Sequence, residues 1–314
     1  MNSHFDSSTQ SPSFLYKYRK VSVDHLQELQ EDIDKLIREN KLSDNKTFRS
    51  YINTKKFEIP ENFPEAKSII VMAVFTRPML VNFYVNGKKK EIIVPPQYYD
   101  DGLSEENLRD VVLNEIIKEP GYKIERATRL HLKLIAVRSG LARYGRNNIS
   151  YVDGMGSFLT LYAYFTDFQF KEDNWNEIRM MDKCENCKIC INNCPNNCIR
   201  EENFVIDAGK CVTLYNEIEG EFPEWITPKA HNALQGCMRC QLPCPANREA
   251  IKLMGRLEDI TEEETRKVLQ GKIDEAALVS VGKKLRRSGD PAEMKAFLPV
   301  LTRNLTCIVN QQEK

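Results

Sequence analysis

The sequence carries no excess of charge. Its 45 Lys+Arg stand against 45 Asp+Glu, a formal net charge of +0 over 314 residues. A chain balanced this way has no global field steering it to nucleic acid or an anionic membrane, so such contacts must come from local patches. It also has no apolar run approaching the roughly 20 residues that span a bilayer, which argues against a membrane partner. The opening MNSHFDSSTQSPS lacks the charged and apolar regions of a secretory signal, and residues 1–20 read as a disordered tail. The pair Arg286–Arg287 lies too far along the chain to act as an export address. No long-period repeat is visible. A cytoplasmic, reducing setting is therefore expected, where thiols stay reduced and a disulfide framework does not form.

What is present is an ordinary globular composition, 41% apolar and 9% aromatic, in a chain long enough for two packed domains. Residues 22–40 place Val23, Leu26, Leu29, Ile33, Leu36 and Ile37 on one face, the pattern of an amphipathic helix. The run IIVMAVF at 69–75 reads as a strand buried on both faces. LVNFYV, Asn86-Gly87 and KKKEIIV read as a hairpin, because Asn-Gly tolerates the positive φ of a type I′ turn. Ser104 is set to cap a helix that Glu105 and Glu106 favour and Pro120-Gly121 stops. A second helix is expected over roughly 126–138, ending near Gly140, and a strand over 157–168.

Ten cysteines are the most informative feature. Cys184, Cys187, Cys190 and Cys194-Pro195 form C-x2-C-x2-C-x3-C-P, the bacterial ferredoxin run whose fourth cysteine serves the other of two clusters. Cys211 and then Cys237, Cys240 and Cys244-Pro245 form a second set with its first member further upstream. Exchanging the two Cys-Pro ligands gives one [4Fe–4S] cluster on Cys184, Cys187, Cys190 and Cys244. The other falls to Cys194, Cys211, Cys237 and Cys240. Structural zinc favours separated C-x2-C pairs and does not use this spacing. Cys198 and Cys307 fit neither set and read as small buried packing residues.

Clusters carry single electrons, so any further chemistry belongs to the first half of the chain. There the sequence resembles epoxyqueuosine reductases and, more distantly, reductive dehalogenases. The stretch Gly140-Leu-Ala-Arg-Tyr-Gly145-Arg146-Asn147-Asn148, then Gly156-Ser157-Phe158, then Phe165-Thr166-Asp167, follows that family's glycine segment without a gap. Cys240-Gln-Leu-Pro-Cys244-Pro-Ala-Asn247 is similar to its Cys-Gln-x-x-Cys-Pro-Trp-Asn. Ala142-Arg143-Tyr144 stands where the family has Gly-Trp-Ile. The resemblance implies an α+β chain: a nitroreductase-like mixed α/β cofactor domain at 21–172, a bacterial-ferredoxin-like double-cluster domain at 173–256, and a short helical segment at 257–314.

The same resemblance implies electrons passing from a small external donor of ferredoxin or flavodoxin type, through two [4Fe–4S] clusters, to cobalamin. It implies reduction of epoxyqueuosine to queuosine, with tRNA as partner. Gly140, Leu141, Gly145, Arg146, Asn147, Asn148, Gly156 and Ser157 become the expected cofactor-binding residues: glycines admit a flat ligand and the polar groups meet its edge. A helix C-cap at Gly140 leading into a polar turn is the plainer reading of the same residues. The family's acid is an Asp whose counted position falls on Arg126, so Glu125, Tyr151 and Asp153 are the candidate proton donors. The rival readings are an electron carrier without cobalamin, a reductase of another substrate, and a binding module with structural clusters. Three basic stretches offer patches for RNA, or else solvated faces: Lys17, Arg19 and Lys20; Lys88 to Lys90; and Lys283, Lys284, Arg286 and Arg287.

Overall fold

The computed structural model describes residues 14–311. The first strand, β1 (Tyr16–Ser22), pairs along its whole length with β2 (Ser68–Phe75). Residues 16–20, read as part of a disordered tail, are thus a sheet edge; residues 1–13 of that tail lie outside the described residues. The expected helix at 22–40 is shorter. Ser22 caps a 3-10 turn over Val23–His25, and α1 (Leu26–Arg38) follows with Leu26, Leu29 and Ile33 buried. Next comes α2 (Lys46–Asn53), whose N-cap Asn45 side chain accepts from the Phe48 N–H.

Seven of the eight residues of β2 are buried, as its unbroken apolar run requires. β3 (Met79–Val85) and β4 (Lys88–Val94) form the expected hairpin, with φ of 51° at Asn86 and 71° at Gly87. Ser104 and Asn107 make a reciprocal capping box for α3 (Glu105–Asp110), which widens into a π-helix over Val111–Ile117 and stops at left-handed Lys118.

The expected helix over 126–138 divides. Ile124–Arg126 is β5, an edge strand paired with Phe165 and its neighbours, and α4 (Leu132–Arg138) begins only after His131, whose side chain caps it. Pairing across the sheet overrides the local helical pattern here. Short strands β6 (Arg143–Tyr144) and β7 (Ser150–Tyr151) bracket the turn between Gly145 and Ile149, and β8 (Leu159–Thr166) follows. The cysteine-rich block carries α5 (Ile189–Asn193) and α6 (Val212–Asn216). Then come β9 (Gly255–Arg256), α7 (Glu262–Leu269), α8 (Glu275–Lys284) and α9 (Pro291–Val309).

The main sheet runs β1-β2-β8-β5, all antiparallel. Its alternation sorts two cores. Ile69, Val71, Ala73, Leu161, Ala163 and Phe165 face α1 and α4, whereas Ile70, Met72, Tyr162 and Tyr164 face α3 and its π-helical extension. A third core joins the hairpin to the C-terminal helices. The hairpin residues Val81, Phe83, Ile92 and Val94 pack on Val268, Val281, Phe297, Leu301 and Leu305 of α7 to α9, and β9 extends β3 in parallel. The helices after 257 are therefore not an appendage. A two-stranded hairpin buries too little by itself, and these helices supply its missing face.

Glu264 of α7 ties this third core together. It is 9% exposed and accepts from the Thr261 N–H, Ser280 and Lys284. Burial alone would raise the carboxyl, but Lys284, Ser280 and the Thr261 cap outweigh it and hold it at about 2. A depressed carboxyl contributes stability above its unfolded value, about 4.3, and loses it as pH falls toward the folded one. Denaturant midpoints should therefore drop between about pH 4 and 2 more steeply in the wild type than in Glu264→Gln.

Candidate functional site

Two groups of thiols converge in the middle of the chain. Cys184 and Cys187, from the segment leading into α5, and Cys190 in its first turn line one small enclosed space with Cys244, which comes from a loop more than fifty residues later. Buried Arg146 closes this space by donating from a guanidinium nitrogen to the carbonyls of Cys184 (2.5 Å) and Glu185 (3.2 Å). Tyr151 lines the same space, and its hydroxyl accepts from Asn147 Nδ2 at 2.9 Å. Burial, reinforced by the Cys244 sulfur, pushes this phenol far up. Residue Asn247, fully buried, locks the arrangement: its Oδ1 accepts from the Ser157 N–H, and its Nδ2 donates to Ser157 Oγ and the Gln241 carbonyl, each at 2.8 Å.

The other thiols open onto a larger space. Cys194, Cys198, Cys211, Cys237 and Cys240 form part of the wall of a cavity of about 670 Å³. Leu159 and Leu161 of β8, Ile33 and Leu36 of α1, Phe48 and Ile52 of α2, and Phe204 give it broad apolar surfaces. Gln97, Asn148, Ser157 and Gln241 supply polar edges, and Tyr51, 44% exposed, marks its mouth. The Cys198 sulfur lies 3.3 Å from that of Cys194, so Cys198 is not a packing residue set apart from the thiol groups. Hydrogen bonding with Cys198 pulls the Cys194 and Cys211 thiols down, favouring the thiolate form that metals bind.

Two titratable side chains, Lys133 and Glu217, line this cavity. Lys133 of α4 is enclosed, and burial pushes its amine down to about 8 while the Cys211 charge opposes the shift. Its Nζ donates to the carbonyl and Oδ1 of Asn148, at 3.1 and 3.0 Å, steadying a residue held at φ 62°. Tyr98 donates to Glu217, and burial raises that carboxyl above its ordinary range. Glu217 follows directly on the last residue of α6. The end of α6 is held by Asn304 of α9, whose Nδ2 donates to the carbonyls of Asn216 (2.9 Å) and Leu234 (3.0 Å). Asn216 in turn donates to the Gly236 carbonyl, beside Cys237. The C-terminal helix thus positions both an acid and a thiol.

The structure redistributes the residues singled out from the sequence. Asn147, Asn148 and Ser157 line the large cavity. Arg146 and Gly145 do not; they border the first thiol space, where Arg146 satisfies loop carbonyls. Gly140, at φ 70°, ends α4 and packs on Asn176, so the plain C-cap reading describes it, and Leu141 joins the core. Gly156 leaves room for Asn247 rather than for a ligand: a Cβ there would collide with Asn247 Oδ1. Glu125 sits on β5 opposite Phe165, two turns of pleat beyond the part of β8 that lines the cavity. Asp153 is exposed in a turn, and its carbonyl accepts from Lys17. Arg126 pairs with Glu105 and lies over the Tyr162 ring, on the far face of the sheet. None of these three lines the cavity. Of the basic stretches, Lys284 is spent on Glu264, and Arg287 on Gln235 and the Phe297 ring. Tyr98 and Glu217 were missed because each stands alone, without a spacing that marks it.

Residues 183–247 match the family described as a 4Fe-4S double cluster binding domain. The epoxyqueuosine reductase of Aliivibrio fischeri is 34% identical over 141 residues, 44% of this chain and 36% of that protein. That of Bacillus cereus is 26% identical over 198 residues, 59% of this chain and 49% of its own length. The chain thus spans half or less of these relatives. Among solved structures, epoxyqueuosine reductase from Streptococcus thermophilus superposes with a TM-score of 0.63 at 16% identity, covering 93% of this chain and 76% of that one. An epoxyqueuosine reductase solved with an epoxyqueuosine-modified tRNA-Tyr stem loop gives 0.62 at 18% identity, with the same coverage. No helix among the described residues is long and apolar enough to cross a membrane. The chain therefore carries a double [4Fe–4S] cluster domain and is similar, in sequence and in fold, to epoxyqueuosine reductases.

Proposed function

We propose that this chain is an iron–sulfur oxidoreductase of the epoxyqueuosine reductase type, using cobalamin and acting on a modified base in tRNA. The observation that carries the reading is the shared wall: one thiol group is itself part of the large cavity, so electrons arrive where a bound cofactor would sit. Cys184, Cys187, Cys190 and Cys244 hold one cluster, and Cys194, Cys211, Cys237 and Cys240 the other. The first loop lies at the surface, with Glu185, Asn186 and Lys188 exposed, which suits entry from a small external donor of ferredoxin or flavodoxin type. A main sheet with helices on both faces supports the nitroreductase-like description of the front half.

The cavity suits a large ring with apolar faces and a polar rim. Its volume falls within the ordinary range of ligand pockets, and its lining combines apolar walls with a few amides. Leu159, Leu161 and Phe204 would meet the ring faces, and Gln97, Asn148 and Gln241 its amide edge. Cobalamin bound there supplies a redox-active metal that handles the bond cleavage the side chains cannot perform. The residues supply the rest. Glu217, with Tyr98, holds the proton that a reduced substrate requires, Lys133 keeps the Asn148 turn in place, and the apolar walls exclude water. The stem-loop complex of a structural neighbour supports tRNA as the substrate class.

Anaerobic protein titrated with cobalamin tests this directly. One equivalent should remain with the chain through gel filtration, with a changed corrinoid spectrum, and dithionite should then drive reduction of an epoxyqueuosine stem loop. Cobalamin eluting free from a cluster-loaded chain would overturn the assignment. The use of Arg146 on the cluster loop instead of in the cavity favours the second reading in that event, an electron carrier without cobalamin.

A further inference from the structure

We infer that Cys198 is a reserve ligand for the second cluster, taking the iron corner that Cys194 leaves open when its thiol is lost. The inference rests on the reading of Cys194, Cys211, Cys237 and Cys240 as that cluster's ligands. Two [4Fe–4S] clusters need eight cysteines, and this region of the chain supplies nine.

The ninth is not set apart from the others. Its sulfur lies 3.3 Å from Cys194 Sγ, and its backbone N–H donates to the same sulfur at 3.3 Å. The backbone explains this convergence. Asn197 adopts φ 51°, its N–H returns to the Cys194 carbonyl at 3.4 Å, and the chain folds back so that residues 194 and 198 present their thiols to one spot. Beyond the turn, the Cys198 carbonyl accepts from the Asp207 N–H at 2.8 Å, which holds the residue in place. Cys198 is 3% exposed, and both sulfurs belong to the wall of one cavity. A thiol kept only for packing needs apolar neighbours; this one meets the sulfur of Cys194. In the exchange, the Cys198 thiol releases its proton to solvent and its sulfur forms one Fe–S bond. No electron is gained or lost.

Four anaerobically prepared proteins test it: wild type, Cys198→Ala, Cys194→Ala and the double variant. Iron and acid-labile sulfide should be about eight per chain in the first three and about four in the double variant. In cluster-loaded Cys194→Ala, Cys198 should resist alkylation by iodoacetamide when mapped by mass spectrometry. A fall to about four irons in Cys194→Ala alone, or ready alkylation of Cys198 there, overturns the inference. Wild type without about eight irons would instead defeat the two-cluster reading beneath it. If Cys194→Ala does not fold, Cys194→Ser and Cys194→Ser/Cys198→Ala replace it. Serine ligates weakly, so Cys198 should displace it and the two reduced proteins should differ in their EPR spectra. Identical spectra overturn the inference.

Discussion

Glu217→Gln should slow turnover by about 10² to 10⁴-fold while leaving both clusters and the bound cofactor in place, the size of effect expected for loss of a general acid. The glutamine keeps the shape and the hydrogen bond from Tyr98 but has no proton to give. Because proton delivery belongs to the transition state, kcat and kcat/KM should fall together. The pH profile supplies a second readout. Burial holds the Glu217 carboxyl above its ordinary range, so wild-type turnover should decline as pH rises through that raised value. The variant should lack this limb. Tyr98 faces the carboxyl directly, and Lys133 and His131 line the same cavity. Burial and the neighbouring Lys133 hold His131 down at about 4, so it stays neutral over that range. Glu125→Gln is the matched control. Since Glu125 does not line the cavity, that variant should turn over like the wild type. A Glu217→Gln protein with full activity would return the acid role to another residue.

Cys244→Ala should leave about four irons per chain in place of about eight, and should stop electron delivery from the external donor. The identity of the surviving cluster decides the ligand pattern. With crossed ligands, Cys184, Cys187 and Cys190 become open to alkylation, while Cys211, Cys237 and Cys240 stay protected. With each run serving its own cluster, the protection reverses. The geometry favours the crossed pattern, because Cys244 shares its enclosed space with the first three thiols and not with Cys237 or Cys240. No spare thiol lines that space, so a second cysteine is not expected to rescue the loss.

These expectations show where local pattern was enough. The C-x2-C-x2-C-x3-C-P run names its metal because three thiolates at that spacing wrap one cubane and the fourth points away. The hairpin followed from Asn86-Gly87, whose backbone conformation is restricted by the residues themselves. The two-faced burial of β2 followed from an unbroken apolar run. The first glycine segment was harder to interpret. Its glycines were read as room for a cofactor, yet Gly156 makes room for Asn247 and Gly140 for Asn176. A glycine announces a close approach without saying what approaches.

The sequence by itself determined that a double [4Fe–4S] cluster domain lies over the spaced cysteines, where the buried strand and hairpin lie, and which family the glycine and cysteine segments resemble. Only the tertiary structure decided that α7 to α9 complete the hairpin's core, that Arg126 faces away from the cavity, and that Tyr98 meets Glu217 beside the second thiol group. The physical reason is range. Spacing within a segment is written in consecutive residues, whereas a contact between residues 98 and 217 depends on sheet register and helix packing accumulated over the whole chain.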